Sequence, residues 1–522
     1  MRRPDRPEAP WEWVRRQHPR TAAVLDALRA DPQRDVDLAR LAHALLAAVG
    51  DDAAVAEIAR QIEVHGADFG LPASGQRSLP GARFARHNLL AGQVRLGRVV
   101  PDSRNDDAVT GDFGLDQDVL RTSLLVVGPP GSGKTRGVAT PIVEHLSLSA
   151  LAARSSVVVV DPKGVDFAYD GWFDITIDPL DPTCGFDMFG GSPAADIAAD
   201  RLASALLPPN VSDDKAYFVD ASRNALYACL APFREAFGRF PTVPELHALL
   251  RADQAAMDKV KSALKGSQGR SLRALLDTRR AQARARVDPA AGLVERFGLL
   301  DRPAWRRLFD LPRPRFAMRD INRPLRVRVA LPEAEYPDGS MILARLVVSQ
   351  FVQVVSSADS NRSIYKGLVI DEAGRYVDDY VARGVQRVRS HNAGLVLLTQ
   401  SLPDFRADVR ETVFGSTGCK AVFAGVNPDD ARTFSAWFGD HYRFDVTRGR
   451  SQHAGWYDDG IRTGETHGET RSVSIRQVER PRWSASDIIT GIPAGHALIS
   501  LARSSGRRAG PFLVNLRAQA PA

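Results

Sequence analysis

The sequence predicts an α/β protein, with a doubly wound core, an inserted all-α domain and an N-terminal helical segment. From about residue 90, short apolar runs alternate with helical patterns. The runs are apolar almost throughout, as strands of a parallel sheet covered on both faces must be. A long stretch, 193–318, interrupts this alternation and has few β-branched runs. These observations favour a parallel sheet interrupted by a helical insertion.

Length and composition limit the classes of protein. A chain of 522 residues is expected to form two or three domains. With 44% hydrophobic and 25% charged residues, its composition is that of a soluble globular protein. The net charge of +7 permits a polyanionic partner without requiring one. Cys184, Cys229 and Cys419 lack metal-ligand spacing, so we expect buried thiols in a reducing compartment.

The N-terminal part reads as helices from residue 10 to about 66, because leucines and valines recur at helical spacing until Gly50 stops one run. Residues 67–85 are rich in Gly, Pro and Ser and indicate a linker. The expected domains are an N-terminal helical segment with its linker (1–85), the first part of the core (86–192), the inserted all-α domain (193–318) and the second part of the core with C-terminal strands (319–522).

We expect neither a signal peptide nor a membrane span. The first residues carry arginines with no apolar run behind them, which excludes a secretory signal. No stretch approaches the roughly 18 uninterrupted apolar residues that a spanning helix needs.

Six apolar runs are predicted as core strands: 123–128, 155–161, 326–331, 366–371, 393–400 and 419–425. Late in the chain, 446–476 is polar and rich in Gly, Thr and Ser. That composition is typical of a long loop or an edge hairpin.

The segment GPPGSGKT directly follows the first run and fits the pattern G-x-x-x-x-G-K-[ST]. Its glycines let the backbone curl so that amides point at phosphate oxygens. Lys134 would reach the β- and γ-phosphates, and the Thr135 hydroxyl would ligate Mg²⁺. The sequence therefore predicts a site for ATP and Mg²⁺, contacted by Gly128, Pro129, Pro130, Gly131, Ser132, Gly133, Lys134, Thr135 and Arg136.

A second acidic motif completes this site. GLVIDEAGR places Asp371 and Glu372 at the end of another core strand. Asp371 is the predicted metal partner, and Glu372 would orient and polarise the attacking water. Gln400 ends the next strand, where its amide would sense the γ-phosphate or the water; a capping role is the alternative.

The strand VVVV ends in Asp161-Pro162-Lys163-Gly164. Pro162 removes a ladder donor and Gly164 lets the chain turn. In a doubly wound sheet the carboxyl end of such a strand opens onto the nucleotide crevice. Asp161 and Lys163 are therefore expected at the rim of the nucleotide site or at a subunit boundary, with a purely structural pair as the alternative.

The order of these motifs resembles that of the TraG-type coupling proteins of type IV secretion and conjugation, which are ATPases of the RecA/FtsK-HerA kind. The residues that carry the resemblance lie between about 90 and 510. They are GKTRGVATP, VVVVDPKG, LVIDEAGR, LLTQSLPDF, FSAWFGDHY and RPRWSASDI, with the helical insertion between the second and third strands.

This resemblance implies a RecA-like ATPase core and an arginine finger that reaches a neighbouring subunit's γ-phosphate. The family's basic residue aligns with Arg389, and Arg387 and Arg410 are the alternatives. Such a finger implies a ring, expected to be a homo-hexamer, with DNA or an unfolded chain in its channel. The insertion would recognise the cargo, a relaxase–DNA complex.

Departures from the family pattern leave other functions open. Relatives usually carry N-terminal transmembrane helices, so a cytoplasmic location with attachment through a membrane-channel partner is expected here. Val165 stands where many relatives have Glu, and 186–189 (FDMF) replaces an Asn-Pro-Leu-like stretch. A soluble HerA/FtsK-like translocase in plasmid, chromosome or defence functions is one alternative. A nucleotide-gated adaptor that binds a partner protein is another.

Overall fold

Four helices form a small N-terminal bundle in the computed structural model, which describes residues 11–106, 110–192, 194–207, 213–458 and 463–519. They are α1 (Glu12–Gln17), α2 (Pro19–Ala30), α3 (Asp35–Ala47) and α4 (Asp52–His65). The bundle has its own core, which includes Trp11, Leu25 and Ile62. Asp51 caps α4 by accepting a hydrogen bond from the backbone N–H of Ala54. The helices predicted for 10–66 are therefore present.

The core begins after the linker and is interrupted by seven helices. Its first part contains β1 (Gln93–Val99), β2 (Asp112–Asp116), α5 (Gln117–Leu120), β3 (Leu124–Val127), α6 (Thr140–Leu151), β4 (Ser155–Asp161), β5 (Ile175–Ile177) and β6 (Gly185–Phe186). The helices that follow are α7 (Ala195–Leu206), α8 (Asp213–Phe237), α9 (Val243–Leu250), α10 (Gln254–Ala263), α11 (Gly266–Arg284), α12 (Ala291–Leu300) and α13 (Pro303–Asp310).

The chain then returns to the core. The remaining elements are β7 (Arg315–Phe316), β8 (Arg326–Ala330), α14 (Pro337–Ser356), β9 (Tyr365–Ile370), α15 (Asp379–Val388), β10 (Ala393–Thr399), α16 (Ala407–Ser416), β11 (Cys419–Val422), α17 (Pro428–Phe438), β12 (Asp440–Asp458), β13 (Thr463–Pro481), β14 (His496–Ala502) and β15 (Arg508–Asn515). All six predicted core strands are present.

The main sheet has eleven strands in the order β2-β1-β15-β14-β11-β3-β10-β9-β4-β8-β5. From β11 to β5 the strands are parallel, as predicted. Four further strands, β14, β15, β1 and β2, add antiparallel pairs at one side of this parallel core. β1 and β2 alternate buried and exposed positions and so lack the continuous apolar run that identified the others.

Two strands, β10 and β9, separate β3 from β4. All four run parallel, so their carboxyl ends meet at one edge of the sheet. The loops after β3, β4, β9 and β10 are thereby brought to the same crevice, which positions the site described below.

The inserted helices share a hydrophobic core with the sheet. Leu202 of α7, Phe233 of α8 and Leu346 of α14 belong to one buried cluster together with strand residues such as Val158 and Val329. The opposite face of the sheet is covered by α6, whose twelve residues are all buried. This packing explains why the central strands are apolar on both faces.

The helix α14 (20 residues) passes a length and hydropathy criterion for crossing a membrane, which the sequence interpretation did not anticipate. Its mean hydropathy is 1.4, but 83% of its apolar window is buried inside the protein. A core helix of a soluble fold meets the same criterion. Among the described residues this is the single candidate span.

The strands β12 and β13, each 19 residues long, pair only with each other. The segment 446–476 was predicted as a long loop or an edge hairpin; its described parts, 446–458 and 463–476, form a hairpin that does not extend the main sheet. All three cysteines are free and buried, as expected.

Candidate nucleotide-binding site

The loop after β3 depends on glycine at three positions. A Cβ on Gly128 would lie 2.8 Å from both Phe423 Cβ and Ser132 Oγ, so a larger residue cannot be accommodated there. Gly131 and Gly133 have φ angles of 73° and 98°, which side chains strongly disfavour. The loop can therefore curl tightly, as a phosphate-binding loop requires.

Lys134 and Ser132 present polar groups within this loop. The Lys134 ammonium is buried and donates to the carbonyl oxygens of Gly128 and Pro129. Burial lowers its pKa, whereas the charges of Asp371 and Glu372 oppose the shift. The buried hydroxyl of Ser132 has no hydrogen-bond partner among the described residues. A cation and an unpaired hydroxyl in a glycine loop fit the phosphate groups of ATP.

Thr135 and Asp371 are joined directly, although 236 residues separate them in sequence. The Thr135 hydroxyl donates to Asp371 Oδ2 at 3.1 Å. Burial raises the pKa of Asp371, and the hydrogen bond from Thr135 opposes that rise. A hydroxyl and a carboxylate at this point are oxygen ligands of the kind that Mg²⁺ prefers. These two residues would hold the ion.

Glu372 lies beside this pair and is oriented by Gln400. The Gln400 amide donates to both carboxylate oxygens of Glu372, at 3.0 and 3.2 Å. Glu372 has a φ of 54°, in the left-handed region that few residues other than glycine adopt. The structure therefore brings these predicted residues together at the carboxyl ends of β9 and β10. Gln400 contacts the acid itself.

Asp404, which the sequence analysis missed, orders the loop that carries Gln400. Its Oδ2 accepts hydrogen bonds from the Thr399 hydroxyl at 2.7 Å and from the backbone N–H groups of Gln400 and Ser401 at 3.1 and 2.9 Å. The pattern Ser-x-x-Asp at 401–404 is a capping motif that could have revealed this role.

A cavity of about 990 Å³ opens over the phosphate loop. One wall is formed by residues of the loop and the helix that follows it, including Arg136. The other walls come from 82–84 in the linker, 493–496 and 516–517 near the C-terminus, and Phe423. No local sequence pattern marks these other walls, because only the antiparallel strands β14 and β15 bring the C-terminal segments to the site.

The linker wall is held in place by Glu144 of α6. This fully buried carboxylate accepts hydrogen bonds from the backbone N–H groups of Phe84 and Ala85 at 2.8 and 3.1 Å. His87 Nε2 lies 2.9 Å from the same carboxylate. Arg83, also in the wall, pairs with Asp35 of α3. The N-terminal bundle is thus connected to the helix that follows the phosphate loop.

Asp161 and Lys163 have different surroundings. The fully buried Asp161 carboxylate pairs with Arg328 of β8 at 2.9 Å and accepts from the Phe167 backbone N–H, and it does not line the cavity. Lys163 is exposed and pairs with Asp166, which raises its pKa. Its charge acts on Asp371, so Lys163 lies on the side of the crevice. The structural alternative describes Asp161 better than a nucleotide contact does.

The three candidate finger arginines occupy opposite edges of the sheet. Arg387 and Arg389 end α15 and precede β10, so they lie at the amino ends of the strands. Arg410 lies near the start of α16, on the side of Gln400, and donates to the Phe405 carbonyl at 3.4 Å. None of the three lines the cavity over the phosphate loop. Arg387 and Arg389 are thus placed to act away from their own nucleotide.

Comparison with known proteins finds one matching family model. Residues 110–294 match the family model described as the type IV secretion-system coupling protein DNA-binding domain. A comparison with curated protein sequences found no match.

Solved structures of the bacterial conjugative coupling protein TrwB share the fold. The unbound monoclinic form of its ΔN70 fragment aligns with a TM-score of 0.54 at 18% identity, over 78% of this chain and 87% of that one. The complex of plasmid coupling protein TrwB with ADP and Mg²⁺ aligns at 0.53 and 17% identity, over 80% and 89%. A third, with the ATP analogue ADPNP, aligns at 0.53 and 17%, over 81% and 89%. The predicted fold class and the resemblance to coupling proteins are confirmed.

Proposed function

We propose that this chain, a coupling protein of the TraG/TrwB type, is an ATP-hydrolysing ring motor that moves DNA, or a relaxase–DNA complex, in conjugative transfer. The observation that carries the proposal is one constellation at the crevice. Thr135 is bonded to Asp371, and the neighbouring Glu372 is held by Gln400. A water-orienting glutamate beside a metal pair is what a hydrolase needs and a passive nucleotide sensor does not.

Each residue of the site has its own role in the proposed hydrolysis of ATP. Lys134 and the loop amides bind the phosphates and offset the charge that develops on them. Mg²⁺, when bound, neutralises charge on the β- and γ-oxygens. Glu372 accepts the proton of the attacking water. The two hydrogen bonds from Gln400 fix the orientation of the Glu372 carboxylate for this step. Asp404 positions Gln400. Arg389 completes the site of a neighbouring subunit.

The domain organisation, the DNA-binding family description and the buried position of α14 support the motor at the level of the whole chain. We propose the division into 1–85, 86–192, 193–318 and 319–522, with the insertion contacting cargo. The family model overlaps the insertion and is described as DNA-binding. A homo-hexamer in the cytoplasm, docked to a membrane channel through a partner protein, is consistent with a fold whose candidate spanning helix is buried in its core.

The decisive test is ATP turnover with and without DNA. We expect single- or double-stranded DNA to stimulate turnover, and Lys134→Ala to abolish ATP binding measured by calorimetry. If neither DNA stimulates turnover and the chain remains monomeric at all concentrations, the motor is excluded. Slow turnover that Glu372→Gln leaves unchanged would instead favour the nucleotide-gated adaptor.

A further inference from the structure

A second cavity, of about 700 Å³, lies between the first inserted helix and the core, and four arginines line it. They are Arg201 of α7, Arg319 and Arg323 ahead of β8, and Arg387 of α15. The segments 319–323 and 356–359 precede β8 and β9, so the cavity lies at the amino ends of the strands. The nucleotide site lies at the carboxyl ends, about 20 Å away for a six-residue strand. This four-arginine pocket is therefore a separate site.

One wall of the pocket is formed by Gly190 and Gly191, which directly follow the segment 186–189 that departs from the family pattern. Asp187 accepts from the backbone N–H groups of Phe189 and Gly191 at 3.0 and 2.7 Å. Gln350 of α14 donates to the Met188 carbonyl at 2.8 Å. The loop is thus fixed by groups on both sides.

Two glycines in this wall make room for the arginines. Gly190 and Gly191 have φ angles of 64° and 69°. A Cβ on Gly190 would lie 2.8 Å from Arg201 Nη1, and a Cβ on Gly191 would lie 2.7 Å from Arg319 Cδ. Substitution would displace both guanidinium groups. The loop therefore positions these charges.

The charge of the pocket is not balanced within the described residues. Arg201 is 8% exposed, yet its hydrogen bonds go to the Phe189 carbonyl and the Gln353 side chain, both neutral. Across the described ranges none of the four arginines forms an ion pair with a carboxylate. Asp320 and Asp359 line the pocket, and Asp320 already accepts from the Ala317 N–H. The charge of Asp187 also acts on Arg201, but Asp187 pairs with Arg315. A cation buried without a carboxylate partner is costly, which indicates an anionic ligand.

An aromatic ring accompanies the charges. Tyr380, Gly384 and Arg387 recur at helical spacing on one face of α15 and line the pocket together. Gly384 allows close packing on Val352, since a Cβ there would lie 2.4 Å from its Cγ1. The Tyr380 side chain is 40% exposed. Burial raises its pKa, and the charges of Arg201 and Arg387 oppose the rise, so its hydroxyl lies near both.

We propose that the four-arginine pocket binds single-stranded DNA, with backbone phosphates on the arginines and a base on Tyr380. Clustered cations beside an exposed ring are the means by which proteins hold unpaired strands without sequence preference. A paired base could not reach the ring within a concave pocket. That the polymer is DNA rests on the proposed function; the pocket's affinity for a phosphodiester strand does not.

The pocket also connects the insertion to the catalytic strand. Arg201 belongs to α7, and α15 is the first α-helix after Asp371 and Glu372. A strand bound here would contact both the inserted helices and the helix that follows the acids. Binding of DNA in the pocket would thereby affect the ATP site through α15 and β9.

The test measures binding of a fluorescent oligothymidylate by anisotropy, with the full chain and no ATP. The variant is Arg319→Ala/Arg323→Ala. The control, Arg383→Ala/Arg432→Ala, removes two exposed arginines paired with Asp379 and Asp429 outside the pocket. We expect the pocket variant to bind more weakly and to reduce the slope of log affinity against log salt by about 1.4, or 0.7 for each lost phosphate contact. The control variant should keep the affinity and the salt slope of the unmodified chain.

Tyr380 separates stacking from charge. Tyr380→Ala is expected to weaken oligothymidylate binding about fivefold or more without changing the salt slope. Tyr380→Phe, which keeps the aromatic ring, should retain the affinity of the unmodified chain. An abasic strand should be insensitive to Tyr380→Ala.

Three outcomes overturn the proposal. In the first, the pocket variant and the control lose the same affinity. In the second, ATP displaces the oligonucleotide from Lys134→Ala protein, which would make the pocket a nucleotide site. In the third, the pocket variant alters self-association without DNA while oligonucleotide affinity is unchanged, which would make it a contact between copies. Because no step requires hydrolysis, a chain without ATPase activity can still pass, and a failure here leaves the ATPase proposal standing.

Discussion

Glu372 combines an unfavourable backbone with a well-held side chain. Its left-handed conformation (φ 54°) costs on the order of 1 kcal/mol for a residue with a Cβ, and glycine would avoid that cost. The carboxylate nevertheless receives two hydrogen bonds from Gln400. A strained acid that is fixed by a neighbour is expected where direction matters more than stability, as it does for a group that must face one water molecule.

The substitution Glu372→Gln should separate ATP binding from turnover. An amide cannot accept the water's proton, so we expect kcat to fall by about 10²-fold or more while the Kd for ATP stays within about threefold. Steady-state turnover and calorimetric titration measure the two quantities. Asp408→Asn serves as the control; Asp408 lies on the nearby α16 and pairs with Arg406, the residue that precedes this helix. Unchanged turnover would remove Glu372 from the reaction.

Lys420 gives a prediction about stability and pH. It is fully buried in β11, donates to the Thr417 carbonyl at 2.6 Å and lies 3.6 Å from the centre of the Trp437 ring. Burial and, to a smaller extent, the charge of Arg508 lower its pKa to about 7. The ring favours the charged amine and opposes this shift.

Between pH 7 and about 10 the unfolded chain therefore binds more protons at Lys420 than the folded chain does. The free energy of unfolding should rise with pH in this window, by an amount on the order of 1–3 kcal/mol. We expect Lys420→Met to remove most of that rise, measured by urea unfolding at several pH values. Lys259→Met, which changes an exposed lysine, should keep it. Parallel curves for wild type and Lys420→Met would contradict the lowered pKa.

At the scale of elements, the sequence predicted those strands and site residues that a hydrophobic pattern or a fixed motif marks. Six of the seven parallel strands were recognisable because burial on both faces makes them continuously apolar. Lys134, Thr135, Asp371 and Glu372 were recognisable because phosphate and metal chemistry restricts the residue types. The strands β1 and β2 at the edge of the sheet alternate buried and exposed positions, and β14 and β15 were expected only as C-terminal strands without a place in the sheet. The cavity wall at 516–517 depends on that side, and the wall at 82–84 depends on Glu144 of α6, so neither was predictable from local sequence.

The linker shows how tertiary contacts supply what local sequence does not indicate. A stretch rich in Gly, Pro and Ser suggested a passive connection, yet Glu144 of α6 accepts two backbone hydrogen bonds from it and lies against His87. Because the carboxylate is fully buried, each lost bond leaves a desolvated partner.

We therefore expect Glu144→Gln to destabilise the chain by about 2–4 kcal/mol and to expose the linker to proteases. Urea unfolding gives the free energy, and limited proteolysis with mass mapping shows whether cleavage falls within 67–92. Glu57→Gln, which breaks an exposed pair with Arg60 on α4, should leave the free energy of unfolding nearly unchanged. Equal losses for the two variants would mean that Glu144 does not anchor the linker.

The whole molecule has two different faces, and a ring needs such an arrangement. Head-to-tail contacts close a ring only when one surface of a subunit fits a different surface of the next. The proposed nucleotide site lies at the carboxyl ends of the strands, whereas Arg389 lies at the amino ends. A finger at that distance from its own phosphate can act only on a neighbour.

Mixing two inactive variants tests this arrangement. Arg389→Ala subunits keep Glu372, and Glu372→Gln subunits keep Arg389, so each repairs the other only if the finger acts across a boundary. Random mixing at equal concentrations should restore about a quarter of wild-type turnover, since half of the sites have Glu372 and half of those face an intact arginine. Arg387→Ala and Arg410→Ala, mixed in the same way, identify the finger by which variant is inactive alone and rescued in the mixture. If no arginine variant is rescued while rings still form by light scattering, the finger acts within its own subunit.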